Sequence, residues 1–144
     1  MDVYQILGRD HQTLQQIFVE INKTNISETE RREQLFRTLH NELEAHEVLE
    51  ESVLYPQIDK YPETAELVGL ALEEHAEVDT ILQEISELPA DKPEWLERIA
   101  ELKDLVQQHI YGEENKMFPA ARKVLDERRA EQLGRQIEEL KESS

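Results

Sequence analysis

The stretch that decides the fold is residues 46–56, HEVLEESVLYP, which returns at residues 109–119 as HIYGEENKMFP. Both copies read H-x-x-x-E-E-x-x-[LM]-[YF]-P, so each pairs a histidine with a glutamate four residues later. In an α-helix this spacing places the two side chains on one face, one turn apart. The proline that closes each copy predicts that the helix bends or ends there.

A weaker repeat precedes each copy. Residues 10–17, DHQTLQQI, and residues 74–81, EHAEVDTI, both place an acidic residue and a histidine ahead of apolar residues at helical spacing. The first half of the chain therefore resembles the second half, as two copies of one helical hairpin. Two such hairpins facing each other across a pseudo-twofold axis would place their histidines and glutamates symmetrically.

Apolar residues recur at spacings of three and four along the chain, and no segment alternates in the manner of a strand. We predict one all-α domain over residues 1–144. Because the connections are short, its four main helices should pack as an antiparallel up-down-up-down four-helix bundle, followed by a short C-terminal helix. The predicted helices are A at about 2–23, B at about 28–55, C at about 62–87, D at about 93–118 and the C-terminal helix at about 126–141.

Each of the four main helices carries one histidine in line with its apolar stripe, and helices B and D each add a glutamate. These six residues are His11, His46, Glu50, His75, His109 and Glu113. Counted from the helix ends, their heights along the bundle agree within about 6 Å, so the side chains can converge. Buried imidazoles and carboxylates need partners, and we expect a shared metal rather than six separately hydrogen-bonded core residues. These donors suit iron, manganese or zinc, whereas calcium prefers oxygen ligands alone.

The composition narrows the possible functions. The chain contains no cysteine, which excludes disulfides, thiolate metal sites, iron–sulfur clusters and thiol nucleophiles. With 33 acidic against 16 basic residues, the formal net charge of −17 opposes binding to nucleic acid and to anionic membranes. No apolar run approaches the length of a membrane span, and the N-terminus lacks a signal-peptide pattern, so we expect a soluble, cytoplasmic protein.

On these residues the chain resembles the hemerythrin-like (HHE cation-binding) family, whose signature is H…HxxxE…H…HxxxE, over about residues 3–125. The resemblance implies two iron ions joined by an oxo or hydroxo bridge. It further implies terminal ligands at His11, His46, His75 and His109 and bridging carboxylates at Glu50 and Glu113. Ferritin-like bundles instead use Glu-x-x-His on two helices, and no histidine here has a glutamate three residues before it.

The chain departs from the oxygen-carrying hemerythrins at one ligand. Those proteins place a second histidine four residues after the helix C ligand, where this chain has Asp79. Other family members use a glutamate directly after the helix B histidine, and Glu47 fills that position. We predict Glu47 as the substitute ligand, with Asp79 as the alternative ligand. If neither binds metal, Glu47 would lie on a solvated helix face, and Asp79 would be a surface carboxylate or one that orients an imidazole. An anionic donor in place of a neutral one stabilises ferric iron and weakens reversible oxygen binding.

Other residues near the motif have simpler expected roles. His40 is out of register with His46, and one acidic residue follows each bridging candidate, so these side chains should lie at the rim. The aromatic residues before the prolines should be packing residues at the helix ends. The expected rim residues are His40, Glu51 and Glu114, and the expected packing residues are Tyr55 and Phe118.

The resemblance implies a non-haem di-iron protein that binds or senses dioxygen or a related small oxidant, namely nitric oxide or peroxide. One alternative is a di-iron enzyme that turns over peroxide or nitric oxide, or a protein that buffers or delivers iron. Another alternative is a structural bundle with zinc or no metal. The chain has no flavin motif and no electron-relay cysteine, which favours a binding protein over a catalyst.

Overall fold

Seven α-helices and two π-helical segments form the regular structure of residues 1–143, the part of the chain that the computed structural model describes. Within residues 1–143 no helix is both long and apolar enough to cross a membrane. The α-helices are α1 (Val3–Asn22), α2 (Thr29–Leu49), α3 (Tyr55–Ile58), α4 (Pro62–Ser86), α5 (Pro93–Gly112), α6 (Phe118–Val124) and α7 (Glu127–Glu142). The π-helical segments are Glu50–Leu54 and Glu113–Met117.

The architecture is the predicted all-α bundle. Helix α1 packs on α2 and α4 packs on α5, so each half of the chain forms one hairpin of the bundle. The apolar core divides into two clusters at different heights, because each helix carries apolar residues on both sides of its histidine. The lower cluster includes Leu7, Leu54 and Phe118, and the upper cluster includes Leu14 and Leu102. The six polar residues therefore lie in a layer between two apolar clusters.

The helical path extends past the ends predicted for helices B and D. It continues through Pro56 to Ile58 in the first hairpin and through Pro119 to Val124 in the second. A proline inside a regular α-helix removes a hydrogen bond and disrupts the turn. Here each proline follows a π-helical segment, in which the hydrogen bonds already change register. Each proline also lies in the first turn of the next α-helix, where a missing backbone N–H costs little. The helix can therefore pass the proline without ending.

Helix α7 docks against the N-terminal half of α1. Leu133 and Ile137 on its apolar face are fully buried in the lower cluster. Gly134 permits this close approach, because a Cβ at that position would lie 2.4 Å from the carbonyl oxygen of Met1. The first turn of α7 is capped by Asp126, whose carboxylate accepts a hydrogen bond from the backbone N–H of Arg129.

Candidate metal centre

The structure brings together all six residues that the sequence places in the core register. They come from four helices and the two π-helical segments, and none is more than 6 % exposed. The residues are His11 on α1, His46 on α2, Glu50 and Glu113 at the starts of the π-helical segments, His75 on α4 and His109 on α5.

The first glutamate in each copy of the repeated motif begins a π-helical segment. The N–H of Tyr55 donates to the carbonyl oxygen of Glu50, five residues earlier, and the N–H of Phe118 donates to that of Glu113. A π-turn widens the helix and rotates the residues that follow it, and such turns are frequent at functional sites. Both hairpins make the same register change at the same motif position, and the glutamate at the start of each segment is buried.

One group of ligand atoms lies between α1, α2 and the second π-helical segment. His11 Nε2 lies 3.0 Å from Glu113 Oε1, and His46 Nε2 lies 3.3 Å from Glu50 Oε2 and 3.9 Å from Glu113 Oε1. One ligand atom from each of these four residues lies within 4.8 Å of the others. Four buried N and O donors at this separation can surround a single cation.

A second group lies beside the first and shares a carboxylate with it. His75 Nε2 lies 3.1 Å, and His109 Nε2 lies 3.4 Å, from Glu50 Oε1. His109 Nε2 also lies 3.2 Å from Glu113 Oε1, and the two imidazole Nε2 atoms are 3.3 Å apart. Because the two oxygens of Glu50 face different groups, this one side chain offers a ligand atom to both.

The Nδ1 atom of each of the four histidines in the site pairs with an acidic side chain at 2.7 to 3.0 Å. A carboxylate can only accept, so each Nδ1 carries the proton and each Nε2 faces the interior. The pairs follow the repeat. In each half of the chain, one of the acids directly precedes the histidine of α1 or α4, and another directly follows the motif glutamate that begins the π-helical segment. They are His11 with Glu114, His46 with Asp10, His75 with Glu51 and His109 with Glu74.

Two of these four acids were expected and two were missed. Glu51 and Glu114 are 45 % and 43 % exposed and hydrogen-bonded, as expected of rim residues. Asp10 and Glu74 were not singled out as orienting groups. The signal for them was present, because the weaker repeat begins with an acidic residue beside a histidine in both halves.

Neighbouring charges strongly shift the pKa values of the buried histidines and glutamates in the site. Burial alone would lower the pKa of His46, but the carboxylate of Glu50, supported by Asp10 and Glu113, raises that pKa well above its usual value. His109 behaves alike, because Glu113 outweighs burial and raises the pKa of its imidazole. Burial would raise the pKa of Glu113, yet His109 holds it well below its usual range. Without a cation, the site balances buried carboxylates with protonated imidazoles.

Two buried atoms that make no hydrogen bond support the fit of a metal to these residues. Among residues 1–143, His46 Nε2 and Glu50 Oε2 are buried and make no hydrogen bond, although they lie only 3.3 Å apart. A buried polar atom without a partner costs on the order of 1–3 kcal/mol. Neutral imidazole and carboxylate donors are the ligands that iron, manganese and zinc prefer. A cation bound to these atoms would satisfy both of them.

Glu47 lies beside the second group. It is 8 % exposed, so a solvated helix face is excluded for this side chain, and one of its oxygens has no hydrogen-bond partner among residues 1–143. Glu47, Glu51 and His75 each offer a ligand atom within 4.8 Å of the others. Burial, followed by a hydrogen bond with Asp79, raises the pKa of Glu47 to about 8. Asp79 therefore contacts the predicted ligand Glu47.

The two aromatic residues before the prolines stack on histidines, and one of them does more. Phe118 stacks on His11 with ring centroids 6.2 Å apart, and Tyr55 stacks on His75 at 5.7 Å. The Tyr55 hydroxyl also donates to Glu113 Oε2 at 2.6 Å, a contact that its interpretation as a packing residue missed. His40 lies at the rim as expected, partly exposed and 2.9 Å from a carboxylate oxygen of α2.

A family model and two relatives match this chain. The model, described as the hemerythrin HHE cation binding domain, matches residues 2–121. The chain is 28 % identical over 135 residues to a protein of Nostoc sp. named DNA nickase, and 30 % identical over 135 residues to an uncharacterized hemerythrin-like protein of Schizosaccharomyces pombe. Each match covers 92 % of this chain, which spans 37 % of the first relative and 66 % of the second.

A solved structure supports the same assignment at the level of the fold. It is the crystal structure of a hemerythrin HHE cation binding domain-containing protein from Mycobacterium kansasii, with a TM-score of 0.88 and 24 % identity. The superposition covers 99 % of this chain and 86 % of that one. The repeated motif, the buried histidine and glutamate cluster and the family match agree. The chain belongs to the hemerythrin HHE cation-binding domain family and is a metal-binding helical protein.

Proposed function

We propose that this domain holds two iron ions and uses them to bind or sense dioxygen or a related small oxidant, nitric oxide or peroxide. The observation that carries the proposal is the position of Glu50, whose two oxygens face two separate groups of buried imidazoles. Glu50 therefore has the position of a carboxylate shared between two metals. A single structural zinc would need only one of the two groups.

The donor set divides between the two metal positions. His11 and His46 would hold one ion, and His75 and His109 the other, with Glu47 completing the second position. Glu50 and Glu113 would bridge the two ions. When bound, a pair of iron ions supplies the electrons and the open coordination positions needed to bind a small oxidant.

The surrounding side chains limit what can reach the site. A small cavity borders the four histidines of the site and Glu47. It leaves about 10 Å³ in which the centre of a water molecule can lie. A space of this size admits about one water molecule, so an organic substrate does not fit. The apolar lining residues keep bulk water out, and they are Leu14, Leu43, Val78, Val106 and Ile110. A diatomic molecule or a peroxide suits such a cavity.

A second candidate function is turnover of peroxide or nitric oxide at the same centre. Tyr55 favours it, because its hydroxyl lies 2.6 Å from Glu113 and 3.2 Å from Glu50 and offers a hydrogen-bond donor beside both carboxylates. Burial, and then the charges of these two glutamates, raise the pKa of Tyr55, so the phenol keeps its proton at neutral pH. Reversible binding and turnover therefore share one site and differ in their kinetics.

The DNA nickase among the relatives does not lead us to propose a nucleic-acid partner. This chain spans 37 % of that protein, and its formal net charge of −17 opposes contact with a phosphate backbone. We propose that the domain acts on a small molecule in the cytoplasm.

The proposal is tested by adding dioxygen, nitric oxide or hydrogen peroxide separately to reduced, iron-loaded protein. We expect a change in the near-ultraviolet and visible spectrum with at least one of them. Reversal on degassing indicates binding, and steady consumption of the added oxidant indicates turnover. A spectrum that none of the three changes contradicts the proposal.

A matched pair of variants locates the response in the cavity. Val106→Ile adds one methylene to the cavity wall without removing a ligand, so we expect slower spectral changes at unchanged iron content. Val19→Ile makes the same change on the exposed side of α1, where valine is 42 % exposed. Equal rates in the two variants would show that the small molecule does not use this cavity.

A further inference from the structure

We infer that α7 is a positioning element of the metal centre. Through Lys141 it holds Asp10, which orients His46, and it thereby strengthens metal binding at the His11 and His46 position and not at the His75 and His109 position. The inference rests on the proposed two-metal centre but not on which small molecule the centre binds. It assigns a function to a helix that lies outside both repeated hairpins.

Three side chains from three helices form the connection. Lys141 Nζ lies 2.5 Å from Asp10 Oδ1, and His46 Nδ1 lies 3.0 Å from Asp10 Oδ2. One carboxylate thus uses one oxygen for the cation and the other for the imidazole. Because a carboxylate only accepts and an ammonium only donates, the donor directions are fixed, and His46 must donate from Nδ1. The last turn of α7 therefore reaches a metal-facing histidine through one intervening residue.

The connection breaks the pseudo-twofold symmetry of the site. The counterpart of Asp10 is Glu74, which accepts from His109 Nδ1 at 2.9 Å. Within residues 1–143 no lysine or arginine pairs with Glu74, which is 23 % exposed against 15 % for Asp10. The hairpin repeat supplies both acids, whereas α7 occurs once and can support only one of them. The two metal positions are therefore differently constrained.

The position of Lys141 is fixed by buried contacts elsewhere on α7. Ile137 lies one turn before Lys141 on the same face and is fully buried, and Leu133 lies one turn before that and is also fully buried. Gly134 brings the helix backbone against the N-terminal residues of the chain. These contacts hold α7 in place independently of Lys141, so removal of the lysine side chain should leave the helix docked.

The expected effect is on geometry rather than on long-range charge. Lys141 is 41 % exposed, and an ion pair at that exposure contributes little by charge alone because water screens it. Without the lysine, Asp10 can turn toward solvent, and His46 loses the acceptor that fixes its ring. Loss of a group that orients a ligand typically weakens metal binding about 10- to 100-fold, and an effect through one further residue should lie near the lower end.

Co²⁺ titration against a competing chelator measures this effect at each position. In a His75→Ala/His109→Ala background only the His11 and His46 position remains, and the reverse double variant isolates the other. We expect Lys141→Met to weaken Co²⁺ binding about 10-fold in the first background only. Lys141→Arg should restore the affinity. Lys123→Met, which removes the same charge from an exposed position on α6, should change neither background.

The outcomes separate this inference from the proposed centre. Equal weakening in both backgrounds, no change, or tighter binding after Lys141→Met would overturn the inference. Wild-type protein that binds two Co²⁺ ions while Lys141→Met leaves both affinities unchanged would overturn the inference alone. Wild-type protein that binds no Co²⁺ would overturn the proposed centre as well.

A metal-free measurement keeps the test decisive if the double variants fold poorly. In ¹⁵N-labelled protein, the His46 Nδ1–H proton should exchange with water faster in Lys141→Met than in wild type, because its acceptor is no longer held. The His109 Nδ1–H proton should exchange at an unchanged rate. Gly134→Ala, which displaces α7, should reproduce the selective effect on His46. Equal acceleration at both histidines would contradict the inference.

Discussion

The Tyr55 hydroxyl, which follows the motif of the first hairpin, donates a 2.6 Å hydrogen bond to Glu113 Oε2, which begins the π-helical segment of the second. The contact joins the two hairpins at the layer of polar residues. The repeat places Phe118 at the corresponding position of the second hairpin, so the reciprocal hydrogen bond to Glu50 is absent. Tyr55 therefore contacts the two glutamates unequally, because its hydroxyl lies 3.2 Å from Glu50 Oε1.

Tyr55→Phe should destabilise the metal-free protein. The substitution leaves the ring stacked on His75 but removes a hydrogen bond to a buried carboxylate, which costs on the order of 1–3 kcal/mol. Urea unfolding of the metal-free protein measures the difference. Tyr111→Phe is the matched control, because Tyr111 is 62 % exposed and should lose almost nothing. Equal losses for the two variants would contradict the role assigned to the Tyr55 hydroxyl.

Glu50→Ala should lower the number of bound metal ions by at least one. Glu50 faces the two imidazole groups with its two different oxygens, so its removal deprives both positions of a ligand. The loss of bound metal should also remove several kcal/mol of stability, on the order expected when a tightly bound ligand is lost. Metal analysis and thermal unfolding measure the two effects. Glu44→Ala, at an exposed position on α2, is the control, and metal content that Glu50→Ala leaves unchanged would refute the assignment.

Metal affinity should rise with pH. The pKa values of His46, His75 and His109 are raised because neighbouring carboxylates outweigh the effect of burial, so these imidazoles hold protons that a metal must displace. Affinity should therefore increase as pH rises through the raised values and level off above them. Co²⁺ competition titrations between pH 6 and pH 9 check this prediction. An affinity independent of pH in that range would show that the imidazoles are already neutral.

The stability of the metal-free protein should change in the opposite direction. Histidines with raised pKa values stabilise the fold below the unfolded value of 6.5, and this contribution is lost as pH rises through the folded values. Glu50 and Glu113, whose pKa values are lowered, stabilise it above 4.5 and lose that contribution as pH falls. Because the pKa of Glu47 is raised to about 8, its contribution to the stability of the fold falls as the pH rises above 4.5. Urea unfolding should therefore show maximum stability at about pH 5.

Two glycines should respond to alanine with opposite signs. A Cβ at Gly112 meets no atom within 4 Å, so Gly112→Ala should stabilise the helical chain by about 0.5–1 kcal/mol. A Cβ at Gly134 meets the backbone of Met1 at 2.4 Å, so Gly134→Ala should destabilise the protein. Thermal unfolding of the two variants measures both effects. Destabilisation by Gly112→Ala would indicate that space beside Glu113 has a function.

The sequence predicts the fold and the convergent polar layer because both depend on helical spacing. The apolar stripes carry the core, and the doubled motif carries four of the six converging residues. The ends of helices B and D were not predictable from the prolines alone, since Pro56 and Pro119 follow π-helical turns whose register change accommodates them. Residue types do not reveal such a turn, although its repetition at the same motif position indicates a shared local structure.

Contacts between distant segments were the part of the site that spacing could not provide. Lys141 reaches Asp10 from a helix outside the repeat, and Tyr55 reaches Glu113 across the two hairpins. Helical spacing does not predict either pair, because the partners lie far apart along the chain. Only the packed structure brings them together. Glu47 illustrates the same point, because its burial beside Asp79 depends on how α2 packs against α4.

The most direct test of the central claim is anaerobic titration of metal-free protein with Fe²⁺, followed by metal analysis after removal of unbound iron. The account predicts two iron ions per chain in the wild-type protein and fewer in Glu50→Ala. One ion per chain, no iron at all, or retention of two ions by Glu50→Ala would contradict a centre in which Glu50 is shared by two metals.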